Sequence, residues 1–312
     1  MNMTDWQFNF IIKDWATWGG VFCSVRDFQP LIKKIFDQEG FALHAVENCK
    51  PGTNGVFRIG PLVIKIFVPI ESGYDSWPDY QAELYALERA NALGVSVPRL
   101  QAKGEIQDRY LFRYLIMDYV YGETLGDRKA ALNPEEKIAI GRTLRQIVRS
   151  WATPCENFNG IDVIQRTLNS PRWHDAPADI RDAQKRCLHR LNRDDFVYVH
   201  GDLTEDNLII GDSGDVTVID FADSIRAPAI YEDMAIACDA FNFDLDLLQG
   251  YYGKITAEDL LDRCIQAILV HDYGWQVVKN TFGSVHHMAD LRTRIMQRLT
   301  SGETNDKSTK VR

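Results

Sequence analysis

The chain is expected to fold as α+β in two lobes, a small first lobe with an antiparallel sheet and a larger, mainly helical second one. Three observations carry this. At 312 residues it has reached the size at which one hydrophobic core stops growing and chains divide. Short β-branched and aromatic runs crowd the first third, whereas apolar spacing at i, i+3, i+4 dominates the remainder. Between them Asp118-Tyr119-Val120-Tyr121-Gly122-Glu123-Thr124 follows neither period and reads as a linker. The boundaries that follow are an aromatic-rich extension with a helix over 1–40, a first lobe over 41–117, a linker at 118–126, a second lobe over 127–300 and a flexible tail at 301–312. A cleft is expected between the lobes.

Residues 27–40 predict a helix, with Phe28, Leu31, Ile32, Ile35 and Phe36 on one face, Asp27 as its cap and Gly40 as its left-handed stop. Residues 56–59 and 62–68 predict an antiparallel pair around the turn Gly60-Pro61. A second helix is expected over 78–93, with Pro78 in its first turn and Gly94 past its end. Strands follow from Val97-Pro98-Arg99-Leu100 and over 110–119. Asn133-Pro134-Glu135-Glu136 is a capping box that opens a helix carrying Ile140, Leu144, Ile147, Val148 and Trp151. Ile180, Ala183, Cys187, Leu188 and Leu191 make another stripe. Two short strands, 196–199 and 216–219, bracket a loop rich in Asp, Asn and Gly, and helices are expected over 229–241, 256–273 and 285–299. The aromatic start (Trp6, Phe8, Phe10, Trp15, Trp18) suits either a cap on the first lobe or a partner surface.

Composition narrows the function. Lys plus Arg number 35 against 44 Asp plus Glu, a net charge of −9. That excess argues against nucleic acid or an anionic membrane as partner, since both require clustered positive charge. It suits a cationic or neutral small molecule. No uninterrupted apolar run of membrane-spanning length occurs, and the start lacks the pattern of a secretion signal. The six cysteines lie far apart without metal-finger spacing, so they are expected to be reduced thiols in the cytoplasm.

The decisive segment is His200-Gly201-Asp202-Leu203-Thr204-Glu205-Asp206-Asn207-Leu208, followed by Val218-Ile219-Asp220-Phe221-Ala222-Asp223. Phosphoryl transfer needs a carboxylate near the attacking hydroxyl and hard oxygen ligands for the Mg2+ that bridges nucleotide phosphates. Asp202, Asn207 and Asp220 supply that set, and the intervening apolar strand returns the chain to bring Asp220 beside Asn207. A lone Asp or Asn here would be an ordinary turn residue. The full string at both offsets is far more specific.

HGDLTEDNL followed by VIDFAD resembles the core of the protein-kinase-like phosphotransferases. Within them it is most similar to the aminoglycoside phosphotransferase and choline kinase branch. Gly201 stands where protein kinases have Arg, Thr204 where they have Lys, and Pro228-Ala229-Ile230-Tyr231-Glu232-Asp233 resembles the branch's P-x-x-Y-D helix start. The resemblance implies a two-lobed protein-kinase-like fold and transfer of the γ-phosphoryl group of Mg2+-bound ATP (or GTP) to a hydroxyl of an aminoglycoside-like, sugar or amino-alcohol acceptor. Asp202 is then the catalytic residue, with Asn207 and Asp220 as metal ligands.

Lys65, in Leu62-Val63-Ile64-Lys65-Ile66-Phe67, matches the family's phosphate-holding strand lysine. Its helix partner is Glu83 or Glu88, about 140° apart around the helix. The family's Glu comes early in a helix ending G-x-x-V-P, which Gly94-Val95-Ser96-Val97-Pro98 fits, and this favours Glu83. The turn containing Thr53 and Asn54 reads both as a hairpin and as a phosphate-facing loop with donating amides. Asp118 and Val120 occupy the stretch where the family binds the purine through its main chain. Asp223, Glu232 and Trp275 are candidates for the acceptor, whereas His286-His287 reads as surface. A nucleotide-binding pseudokinase acting as a scaffold, or a protein kinase, is the alternative function.

Overall fold

The computed structural model describes residues 6–50 and 52–301. Pro51 and all of the expected tail except Ser301 lie outside the described residues. Two compact units emerge, one built of the residues up to Asn91 together with Val97–Val120, the other of Ala92–Ser96 and the residues from Tyr121 onward.

The first unit contains α1 (Trp15–Gly19), α2 (Val25–Glu39), β1 (Val46–Asn48), β2 (Gly55–Ile59), β3 (Leu62–Ile66), α3 (Trp77–Ala92), β4 (Leu100–Gln107) and β5 (Leu111–Asp118). Its five strands form one antiparallel sheet in the order β1-β2-β3-β5-β4. α2 begins two residues earlier than expected. Ser24, rather than Asp27, is its cap, and the Ser24 side chain accepts the Asp27 amide at 3.3 Å. Gly40, at φ 77°, closes the helix in the left-handed region that glycine adopts without strain.

Strand period 2 sorts β3. Ile64 and Ile66 join an apolar cluster on one face, so Lys65 between them points to the other. The cluster settles the aromatic start. Phe8, Ile12, Trp18 and Val21 pack in it with Phe28 and Phe36 of α2 and with Phe57, Phe112 and Ile116 of the sheet. Polar pins fix this segment: the Asp108 carboxylate takes the amides of Gln7 (3.0 Å) and Phe8 (2.9 Å). The Ile12 amide donates to the Tyr110 hydroxyl at 2.8 Å, and the Trp18 indole to the Thr53 carbonyl at 2.9 Å. Residues 8–36 therefore supply one layer of the sheet's core.

The second unit contains β6 (Glu123–Thr124), α4 (Leu125–Arg128), α5 (Pro134–Trp151), α6 (Val163–Leu168), α7 (Ala178–His189), β7 (Val197–Val199), β8 (Leu208–Ile210), β9 (Val216–Val218) and β10 (Ile225–Ala227). It ends with α8 (Leu245–Tyr252), α9 (Ala257–Val270), α10 (Gly274–Phe282) and α11 (Met288–Ser301). The expected capping box opens α5, with Asn133 and Glu136 exchanging side-chain and backbone bonds. α5 lies hard against α8 because Gly141 and Gly250 have no Cβ to meet the Leu247 and Ile138 carbonyls.

Four strands were not expected. β1 pairs with β2, β6 (inside the expected linker) with β8, β8 also with β9, and β10 with β7. Each is two or three residues long, too short to show a period. The helix expected over 229–241 is instead a 3-10 turn at Ala229–Tyr231 followed by a π-helical stretch at Met234–Ala240. That stretch ends on Asn242 (φ 48°) and Phe243 (φ 62°), left-handed residues that cannot continue it. No helix among the described residues is long and apolar enough to cross a membrane.

Phe8 tests the contribution of the first layer. Its ring centroid lies 4.8 Å from that of Phe28 and 5.1 Å from that of Phe112. Phe8→Ala should cost about 3–5 kcal/mol, the usual range for a fully buried aromatic. The loss is read as an earlier midpoint in urea melts; a loss below about 1 kcal/mol would mean that the segment is loosely attached.

Candidate active site

β7 delivers the chain to His200, and the loop that follows carries Asp202 and Asn207 before β8 and β9 return it. The return is registered by the Ile219 amide, which donates to the Asn207 carbonyl at 3.1 Å. This places Asp220 next to the loop, at φ 61°. Asp tolerates that left-handed conformation better than most residues. Ala222, which stands where the resembling pattern has Gly, does not need it, since Asp220 is the residue in this turn with positive φ.

The loop is held at nearly every backbone group. The His200 and Gly201 amides donate to the two Glu232 carboxylate oxygens at 2.6 and 3.0 Å. The Gly201 carbonyl accepts from His271 Nε2 at 3.2 Å. The Asp202 amide donates to His200 Nδ1 at 3.2 Å, which leaves His200 Nε2 to donate to the Ile219 carbonyl at 3.1 Å. Asn207 Nδ2 donates to both the Asp202 carbonyl (2.8 Å) and its carboxylate (3.0 Å). Gly201 sits at φ 82°, and a Cβ there would lie 2.5 Å from the Asp223 carbonyl oxygen, so only glycine fits.

Burial pushes the Asp202 carboxyl well above the usual carboxylate range, and the negative charges of Asp223, Asp220 and Asp239 push it further. The hydrogen bond from Asn207 acts the other way. Four acids therefore face a common region. Hard oxygen donors and repulsion between neighbouring carboxylates are what a divalent cation would satisfy and relieve. No three His, Cys, Asp or Glu side chains among the described residues converge as a closed metal cluster. The donor set is instead open, one amide oxygen at Asn207 and one carboxylate at Asp220, and it fits an ion that completes its shell with water and phosphate oxygens.

The acceptor candidates separate. Asp223 is half-exposed and ion-paired with Arg166 at 3.2 Å. Glu232 is 1% exposed, and both its oxygens hold the loop, so it is a structural anchor and not a substrate contact. Trp275 is 3% exposed and packs near Trp173, which leaves no open ring face for a ligand. His286 and His287 are exposed. Sequence reading missed Arg166, His271 and Asp272. Arg166 donates to Asp272 through Nε at 3.0 Å, the Tyr231 hydroxyl donates to the same carboxylate at 2.7 Å, and His271 stacks on Tyr231 with centroids 4.0 Å apart. Burial lowers His271 to about 4, so it is neutral and offers Nε2–H to the Gly201 carbonyl. Arg166 and Tyr231 lie 106 and 41 positions from Asp272, and no local spacing could have announced the cluster.

In the first unit, Lys65 Nζ and the Glu83 carboxylate form a buried ion pair. Glu88 instead bonds Lys103 at 2.7 Å on the surface. An unmatched charge at either buried position would be strongly destabilising, so the pair is mutually required. Thr53 is exposed and its carbonyl accepts from Trp18, whereas the buried Asn54 side chain accepts the Val68 amide at 3.3 Å. That bond braces the turn from within. The Asp118 amide donates to the Arg99 carbonyl at 3.0 Å, its carboxylate accepts from Gln101 at 2.6 Å, and Val120 is half-buried.

Glu232 gives the loop a pH signature. Burial pushes its carboxyl up to about 7, against the two amide bonds that favour the ionised form. The unfolded chain releases that proton near 4.5, so the folded state binds more protons between these values. Stability from this residue therefore rises as pH falls from about 7 to 4.5. Glu232→Gln should be less stable by about 1–3 kcal/mol, having lost one acceptor. The gap from wild type should widen between pH 8 and pH 5 in thermal melts; a gap independent of pH would contradict the assignment.

No curated protein matches the chain in sequence. Solved structures share its fold. An aminoglycoside 2'-phosphotransferase-IIIa in complex with GDP superposes with a TM-score of 0.58 at 17% identity, covering 89% of this chain and 96% of that one. A GDP and kanamycin complex of a 2''-aminoglycoside phosphotransferase gives 0.56 at 18%, covering 87% and 95%. Choline kinase LicA from Streptococcus pneumoniae gives 0.53 at 18%, covering 87% and 97%. These likenesses establish the two-lobed, kinase-like α+β fold. The sequence profile of the phosphotransferase enzyme family matches residues 56–263, two-thirds of the chain and a span that runs from before Lys65 to beyond Asp223, and the chain belongs to that family.

Proposed function

We propose that the protein is a small-molecule kinase that moves the γ-phosphoryl group of Mg2+-bound ATP or GTP to a hydroxyl of an aminoglycoside-like, sugar or amino-alcohol acceptor. The observation that carries the reading is the Asp202 carboxylate, gripped by Asn207 on a loop immobilised from both sides. A carboxylate whose proton affinity is raised by burial and by neighbouring acids is suited to take the proton of an attacking hydroxyl. Its fixed position orients that hydroxyl, and orientation supplies much of the rate in phosphoryl transfer.

Asn207 and Asp220 would hold the magnesium, which when bound neutralises charge across the nucleotide phosphates. Lys65, braced by Glu83, is the candidate phosphate ligand of the first unit. The amides around Thr53 and Asn54 are candidate phosphate donors, and the main chain at Asp118 and Val120 is the candidate purine contact. Asp223 is the remaining candidate for the acceptor among those read from sequence. The nucleotides and acceptors in the names of the structural relatives are consistent with this class of reaction.

Asp202→Asn should lower kcat by about 10²–10⁴, the range for loss of a general base, while Mg2+-dependent nucleotide affinity persists. Asp220→Asn should lose that Mg2+-dependent affinity. Both are measured with ATP and GTP in parallel against a panel of aminoglycosides, sugars and amino alcohols. Undiminished turnover by Asp202→Asn would overturn the role given to that residue.

A further inference from the structure

Arg172 lies in the short 3-10 turn Pro171–Trp173 that follows α6. Its guanidinium sits 3.5 Å over the Tyr273 ring. It makes no hydrogen bond among the described residues, and its one ionic neighbour, Asp272, is 4.0 Å away. That carboxylate is already matched by the Tyr231 hydroxyl and Arg166 Nε. Arg166 in turn reaches Asp223. Two guanidinium groups and two carboxylates leave the cluster formally neutral, so it presents no net field to a polycation. What it presents is a set of unmatched N–H donors on a fixed plane. A guanidinium stacked on an aromatic ring keeps its edge for a bidentate oxyanion, with little ordering cost on binding.

The cluster is rigid and anchored to the catalytic loop by two routes. The Thr167, Ser170 and Trp173 side chains donate to the carbonyls of Val270, Asp272 and His271 at 3.1, 3.0 and 3.1 Å. These bonds staple the Arg172 turn to the Tyr273 loop. His271 then ties that loop to the Gly201 carbonyl, one residue before Asp202. Independently, Arg166 holds Asp223, whose own carbonyl abuts Gly201. Arg172 is 35% exposed on its side chain, Asp223 50% and Tyr273 39%. Asp223 is close enough to act electrostatically on both Tyr273 and Asp202, so the open residues of the cluster neighbour the Asp202 loop.

We propose that Arg172, flanked by Tyr273 and Asp223, is an oxyanion subsite for the acceptor, which carries a carboxylate or phosphate group in addition to the hydroxyl that is phosphorylated. This rests on the kinase reading and narrows it, because only an acceptor with an oxyanion would use the unmatched donors of Arg172. The subsite is a specificity determinant, distant from the reacting atoms.

The test compares probes that differ only in the anionic group: glucose, glucuronate and glucose 6-phosphate, and ethanolamine with serine, with kanamycin as the polycation. In the wild type, the anionic members should raise the melting temperature and show KM about tenfold lower than their neutral partners, the effect of one charge-assisted contact. The sugar acid and the sugar phosphate separate the two anion types. Arg172→Gln should erase that advantage, and Arg172→Lys, which keeps the charge but not the fork, should restore only part of it. Melts without probe establish that both variants fold. No shift from any anionic probe in the wild type, a preference for kanamycin, or an advantage that survives Arg172→Gln would each overturn the subsite. So would inorganic phosphate alone producing the full shift, which would mark an adventitious ion. An Arg172-dependent shift without turnover of any probe would leave the subsite standing and sink the kinase reading instead.

Discussion

A carboxylate with no ion-pair partner among the described residues, buried under the loop and taking two consecutive backbone N–H groups, is the constraint on which the site depends. Glu232 binds the amides of His200 and Gly201, and those two residues determine where Asp202 points. The geometry works only with glycine at 201, since its positive φ turns both amides toward one acceptor and the Asp223 carbonyl fills the space a Cβ would need. The chain has Glu where the resembling pattern has Asp, and the longer side chain still reaches both donors. Leaving such a carboxylate buried is unfavourable, as its raised proton affinity shows. Two strong amide bonds offset that, and the result is a loop with few alternatives.

Two histidines complete the lock in the same manner. His200 and His271 each accept a backbone amide at Nδ1 and donate from Nε2 to a carbonyl, Ile219 in one case and Gly201 in the other. A neutral imidazole with one donor and one acceptor matches a pair of buried peptide groups and adds no charge. Both rings are packed as well as bonded. His200 lies near Trp151 and Phe221, and His271 is stacked on Tyr231. The Asp202 loop is thus set by His200 just after β7, by Glu232 between the 3-10 turn and the π-helical stretch, and by His271 in the turn between α9 and α10.

How much of this was legible follows from range. Short-range signals were read well: the α5 capping box, the left-handed Gly40 and the Gly60-Pro61 hairpin each involve a few neighbouring residues. The expected approach of Asp202, Asn207 and Asp220 was also legible, because a short loop and the β8–β9 hairpin bring them together. Misreadings arose where the outcome depended on tertiary partners. Ser24 displaced Asp27 as a cap because the helix starts at Val25, and β8 and β10 gained strand character only from β9 and β7. Glu232 and Trp275 carry residue types that suit ligand contact, but burial decided otherwise. Arg166, His271 and Asp272 were invisible because they meet only after α6 and α9 pack, with no sequence neighbourhood to betray them.

The layer formed by Phe8, Ile12, Trp18 and α2 has a bearing on how the first unit comes into being. One side of its sheet is sealed by residues synthesised before any strand, and the seal is pinned by Asp108 and Tyr110, from the last hairpin of that sheet. Closure therefore waits on contacts spanning about a hundred positions, a topology associated with slower folding. Until the β4–β5 hairpin has formed, the aromatic segment lacks the Asp108 and Tyr110 bonds and the Phe112 and Ile116 side of its cluster, and during that interval its apolar surface is most open to self-association.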